Sequence, residues 1–125
     1  WAPVNAADMS SKADPDVHVL GDAAQQGDMP KSGFAANSQA KVCAMAVRGA
    51  LTGSKVFPAK FTNTCWSLIA ADDGVKVGAT YEATAEKIAK VDGFISQTGE
   101  DAATRKATYE ESVGWYAGIT ADMFN

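Results

Sequence analysis

Cys43 and Cys65 are the only cysteines in the chain, and they lie almost equidistant from Gly53–Ser54, the strongest breaker between them. In an antiparallel pair of helices joined there, mirror-related positions face each other. Cys43 then meets Cys65, Val47 meets Phe61, and Ala40 meets Leu68. A disulfide at that place staples the hairpin. An even cysteine count without a CxxC spacing fits one structural bridge in an oxidising compartment; two buried thiols are the alternative. In the chain-entropy model a bridge closing a loop of this length stabilises by roughly 3 kcal/mol. The expected disulfide, Cys43–Cys65, therefore organises residues 34–73.

A chain of 125 residues is one domain by length. Alanine dominates its apolar residues, and leucine occurs only at Leu20, Leu51 and Leu68. Alanine favours helix because it loses no side-chain entropy there, yet it buries little area per residue. The formal charge of −4 argues against nucleic acid and against docking on anionic lipid, both of which need clustered Lys and Arg. No apolar run is long enough for a membrane span. Trp1 rather than a methionine begins the chain, so a removed leader is expected.

Residues 1–34 show no sustained period. Pro3, Pro15, Pro30, Gly21, Gly27 and Gly33 punctuate them, and five acids face only Lys12 and Lys31. This composition predicts an extended, non-regular arm, with Val17–Leu20 as a short apolar patch. Residues 35–125 are expected as a helical domain. A first helix runs from about Ala36 to Leu51, with Asn37 or Ser38 as its cap and Gly53 past its end. A second spans Pro58 to about Ala71 on the stripe Phe61, Cys65, Leu68, Ile69. A third starts at Thr80 and carries Tyr81, Ala85, Ile88, Val91 and Ile95 on one stripe. The fourth opens at the capping pattern Thr98-Gly99-Glu100-Asp101 and reaches Gly118.

The expected fold is therefore all-α: an up-down-up-down four-helix bundle with an N-terminal arm. A rival parse takes Cys65–Ala70 and Val75–Tyr81 as strands joined through Asp72-Asp73-Gly74, which makes the fold α+β with a hairpin at 65–81. Thr62-Asn63-Thr64 are poor helix formers, but the spacing at 61, 65, 68 and 69 favours the helix.

No catalytic set emerges. His18 is the only histidine, so neither a Ser-His-Asp nor a Cys-His arrangement exists without it, and one imidazole with Asp14 and Asp16 is too thin a set for a metal. No cofactor, metal or catalytic residue is expected, and no enzyme. The layout (small, acidic, helical, one bridge, an arm) is similar to small extrinsic subunits of membrane complexes, those of photosystems among them. That resemblance implies a non-enzymatic accessory subunit in the periplasm, the extracellular space or a thylakoid lumen. It would dock on a protein partner through Trp1, Val17, His18, Leu20, Phe34, Trp115 and Phe124, exposed aromatics being good interface anchors. A carrier of a small apolar ligand and a pilin-like or adhesin-like secreted domain are the alternatives.

Overall fold

A computed structural model describes residues 1–124. It contains a short parallel pair, β1 (Ala2–Pro3) and β2 (Ala24–Gln25), with a 3-10 turn at Gly21–Ala23. A long helix, α1 (Gly33–Thr52), is followed by three strands, β3 (Lys60–Ala70), β4 (Asp73–Ala83) and β5 (Ile88–Ile95), and by α2 (Ala102–Phe124). The three strands form one sheet in the order β3-β4-β5. The fold is α+β, so the four-helix bundle is overturned.

The reason lies in the stretch from Lys60 to Ile95. Thr62-Asn63-Thr64 belong to a strand, where a β-branched side chain loses less freedom than it does on a helix. Only Ala71 and Asp72 separate β3 from β4, a two-residue connection that makes the pair antiparallel. Asp72 takes the left-handed conformation at φ 55°, which aspartate tolerates better than most residues. The next turn is built by Thr84. Its hydroxyl accepts from the Glu86 and Lys87 N–H groups, and its own N–H donates to the Lys87 carbonyl at 2.9 Å. The expected third helix is thus a strand end, a turn and β5.

Both helices that do form are capped. Ser32 caps α1 by accepting from Ala35 N at 3.1 Å, ahead of the expected cap at residues 37–38. Gly53 closes it in the left-handed region at φ 70°, its N–H donating to the Gly49 carbonyl. Asp101 accepts from Thr104 N at 2.7 Å at the start of α2.

The described chain forms two compact units. The first comprises Trp1–Asn63 with Ala79–Gly93, the second Thr64–Gly78 with the chain from Phe94. Each long strand contributes residues to both. Every buried hydrophobic side chain among the described residues belongs to the first unit: Met9, Met29, Val42, Phe61, Tyr81 and Ile88 are the larger ones, with alanines, Val4 and Cys43 between them. Residues 1–34 supply part of this core through Val4, Ala6, Met9, Ala24 and Met29, and Val19 and Leu20 pack against it. A buried amide network ties the segment to α1. Gln39 accepts from Gly21 N at 2.7 Å and donates to Gln26 Oε1 at 2.8 Å.

The turn at Gly27-Asp28 fastens the same segment to β5. Asp28 N donates to the Ile88 carbonyl at 2.9 Å, while its carboxylate accepts from Lys90 N and from Lys87 Nζ. Gly27 sits at φ 64°, and a Cβ there would lie 2.3 Å from the Ile88 carbonyl oxygen. Gly53 has a similar φ, but no atom lies within 4 Å of its would-be Cβ. Gly53→Ala is therefore expected to cost about 1 kcal/mol and Gly27→Ala about 3 kcal/mol, as measured by urea denaturation of the two variants.

Candidate functional site

Among the described residues of the second unit no hydrophobic side chain is fully buried. Trp66 and Trp115 meet with ring centroids 5.6 Å apart and planes inclined at 34°. Gly74 lets α2 approach β4 closely, since a Cβ there would come within 3.0 Å of Tyr109 N. Around these contacts lie ion pairs, among them Lys106 Nζ with Glu110 at 3.3 Å. Arg105 Nη2 meets Asp73 at 2.5 Å, Lys106 Nζ meets Asp72 at 2.7 Å, and Lys76 Nζ meets Glu111 at 2.6 Å. Asp72 first, then Glu110, hold the exposed Lys106 ammonium above its ordinary range. The exposed Lys106 pairs contribute little individually, while the half-buried Arg105–Asp73 pair is screened less.

Between β3, β4, the end of β5 and the first turn of α2 is a cleft of about 480 Å³, within the roughly 300–1,000 Å³ usual for small-molecule sites. Cys65 and Ser67 lie two residues apart on one face of β3 and both line it. Val75, Lys76 and Val77 come from β4, and Arg105 from α2. The rim is the loop Ser96–Gly99. It is pinned by Ser96 N donating to the Lys76 carbonyl at 2.8 Å and by Lys76 N donating to Ser96 Oγ at 3.0 Å. Gln97 N donates to Glu100 Oε1 at 2.8 Å, and Gly99 makes the bend at φ 86°.

Arg105 is set unusually. Its side chain is 26% exposed, one terminal nitrogen is bound to Asp73, and its Nε is buried without a hydrogen-bond partner. A buried N–H without a partner carries an energetic cost, and Arg105 bears it beside the cleft that its side chain helps to line. Lys76 and Arg105 are the charged residues of the lining, and no acid lines it.

The sequence-predicted residues fall elsewhere, with one exception. Among the described residues no disulfide is formed. Cys43 is in α1, buried in the first unit, and Cys65 is in β3 in the second, because the helical hairpin that would have paired them does not exist. The expectation of an oxidising compartment rested on that bridge. Burial, then the nearby Asp8 carboxylate, push the Cys43 thiol above its ordinary range. Cys65 is the exception, as the thiol that lines the cleft.

Of the docking residues, Trp1 is 83% exposed with Lys31 Nζ 4.5 Å from its ring centroid, and Val17 is exposed. His18 is half-buried and bridges backbone-to-backbone with Ser10; Leu20 packs against the core; Phe34 is half-buried in the first turn of α1. Trp115 is half-buried against Trp66, and Phe124 is 79% exposed at the end of α2. The first five belong to one unit and the last two to the other. Arg105, Lys76, Ser67 and Thr98 were not anticipated as cleft residues. The acidic turn Asp72-Asp73 was the available signal, since a hairpin tip carrying two carboxylates against a helix calls for bases on that helix.

The flavin-binding family of flavocytochrome c sulphide dehydrogenase matches residues 58–124, just over half of the chain. The chain belongs to this family.

Membership corrects several expectations. A flavocytochrome family sets the chain in a redox-enzyme context and in a larger assembly, so the non-enzymatic extrinsic subunit, the apolar-ligand carrier and the pilin-like domain are all set aside. Among the described residues no helix is long and apolar enough to cross a membrane, and no cluster of His, Cys, Asp and Glu could hold a metal. If the flavocytochrome-family unit around the cleft depends on its indole pair, Trp115→Ala should lower stability by about 2 kcal/mol. Lys106→Ala should cost no more than about 1 kcal/mol. Thermal unfolding followed by near-ultraviolet circular dichroism checks both.

Proposed function

We propose that this chain is a flavin-facing portion of a sulfide-oxidising redox enzyme, and that the Cys65 cleft is where it meets the flavin. One observation carries the reading: every residue that lines the cleft falls within the span matched by the flavin-binding family.

The residues suit one end of a flavin and not the other. Val75, Val77 and Ile95 offer apolar walls to a flat aromatic ring, and the Arg105 and Lys76 side chains in the lining carry donors suited to a ring carbonyl. The dinucleotide's phosphates need something different, typically a glycine-rich strand-to-helix turn whose N–H groups point at them. In this unit the described helix N-terminus is that of α2, and it is already occupied. Asp101 caps it, and accepting the Thr104 N–H holds its carboxyl below the usual carboxylate range. Glu100 stands beside it. Two carboxylates at that helix end repel a phosphate. The chain therefore supplies a wall for the ring, and the phosphates belong to another part of the assembly.

A flavin, when bound, supplies an acceptor for two electrons. The chain's own contribution is narrower. Cys65 is the one lining side chain whose sulfur can itself enter redox chemistry, Arg105 and Lys76 set the charge of the cleft, and the Ser96–Gly99 rim shapes its mouth. In the larger assembly an electron-accepting cytochrome component fits the family's description as a flavocytochrome.

The two halves of the fit are separable by experiment. Lumiflavin, which is the ring system without ribityl phosphate, should bind this chain within about threefold of the affinity of FAD, read by quenching of flavin fluorescence. A preference for FAD of more than about tenfold would show a phosphate site that the fit excludes. Absence of quenching by either would remove the cleft as a ring site.

A further inference from the structure

We propose that the end of α1 and the segment after it, residues 48–60, form a peripheral docking surface for an anionic lipid bilayer. These residues belong to the first unit and none of them lines the Cys65 cleft.

The formal charge of −4 conceals how the charges are distributed. From Met29 to Ala71 the chain carries Lys31, Lys41, Arg48, Lys55 and Lys60 and no acid, while all 15 acids lie in the remainder. Among the described residues Arg48, Lys55 and Lys60 are exposed and take part in no ion pair. Three large apolar side chains stand uncovered in the same short stretch: Leu51 is 80% exposed, Phe57 55% and Val56 46%. Lys55 Nζ lies 4.8 Å from the Phe57 ring centroid, so a cation and an aromatic ring face water together at this tip.

The chain itself holds the tip in place. Gly53 reverses direction at φ 70°, and Thr52 Oγ1 donates to the Arg48 carbonyl at 2.7 Å and lies 2.6 Å from Ser54 Oγ. Gly49 makes room for the returning segment, since a Cβ there would lie 2.3 Å from Val56 Cγ2. Beside it, Lys41, Met45, Pro58 and Lys60 help to line a groove of about 350 Å³. Exposed apolar side chains with bases beside them and no acid among them suit the boundary of a bilayer. There the apolar groups enter the acyl region while Lys and Arg meet headgroup phosphates. An acidic protein would answer the charge, but it would also need a shaped recess for Leu51 and Phe57, which a bilayer does not.

Co-sedimentation of the full chain with unilamellar vesicles at low salt tests this. Phosphatidylcholine vesicles containing about 30 mol% phosphatidylserine should bind it at least about tenfold more tightly than phosphatidylcholine alone. Salt at about 0.5 M should remove most of that difference. Lys55→Gln combined with Lys60→Gln should weaken binding about tenfold, and Leu51→Ala combined with Phe57→Ala by about as much. Lys12→Gln, at an exposed base outside the stretch, should leave binding within about twofold. All these side chains are exposed, and an unchanged melting temperature shows that binding rather than folding is read. Equal affinity for the two kinds of vesicle, or a loss with Lys12→Gln as large as with the tip lysines, overturns the tip as the selective element. Binding that survives Leu51→Ala with Phe57→Ala overturns insertion of the apolar side chains. Failure to sediment with the anionic vesicles overturns the lipid surface and leaves the tip to an acidic protein.

Discussion

The rest of the structure depends on how apolar surface is divided along the three long strands. Phe61, Ala79, Tyr81 and Ile88 are buried in the first unit together with residues drawn from the first half of the chain. Further along the same strands Leu68, Ile69, Val77, Phe94 and Ile95 are all exposed. The hydrophobic effect, which scales with apolar area removed from water, therefore acts mainly on one unit. The other relies on an indole pair, a close approach at Gly74 and ion pairs of small individual worth.

That division is consistent with function. The first unit buries its apolar side chains in a close-packed, alanine-rich core. The second unit instead keeps an open cleft, and its polar contacts serve to place side chains. Asp73 fixes the guanidinium of Arg105, Lys76 and Ser96 exchange two hydrogen bonds that set the rim, and Asp101 shapes the start of α2. The same Asp101 that makes a good cap makes a poor phosphate neighbour, which is the ground on which we propose the ring rather than the phosphates for this chain.

Much of the helical part was legible in the sequence. Gly53 marked the end of α1, and the run Glu100-Asp101 marked the start of α2, because caps depend on local chemistry that neighbouring packing rarely overrides. The strands were misread for a reason that lies in the periodicities themselves. Positions i and i+4 share a face on a helix and also on a strand, so Phe61, Cys65 and Ile69 are compatible with both. Leu68 was the residue that tipped the balance to a helix, and it is 49% exposed. Thr62-Asn63-Thr64 carry the opposite signal, because their intrinsic preference is against the helix. The cysteines were singled out, but their mirror placement has no structural counterpart; what matters in Cys65 is the cleft it lines. Arg105 is legible only indirectly, through the acidic turn Asp72-Asp73 that calls for a base on the facing helix, because its own significance arises from the ion pair to Asp73.

The division of apolar surface is tested most directly by native-state hydrogen exchange resolved to single amides. The account predicts that Phe61, Asn63 and Tyr81 exchange only through global unfolding, while α2 beyond Trp115 opens locally at a free energy lower by at least about 2 kcal/mol. One common opening free energy across both units would contradict it.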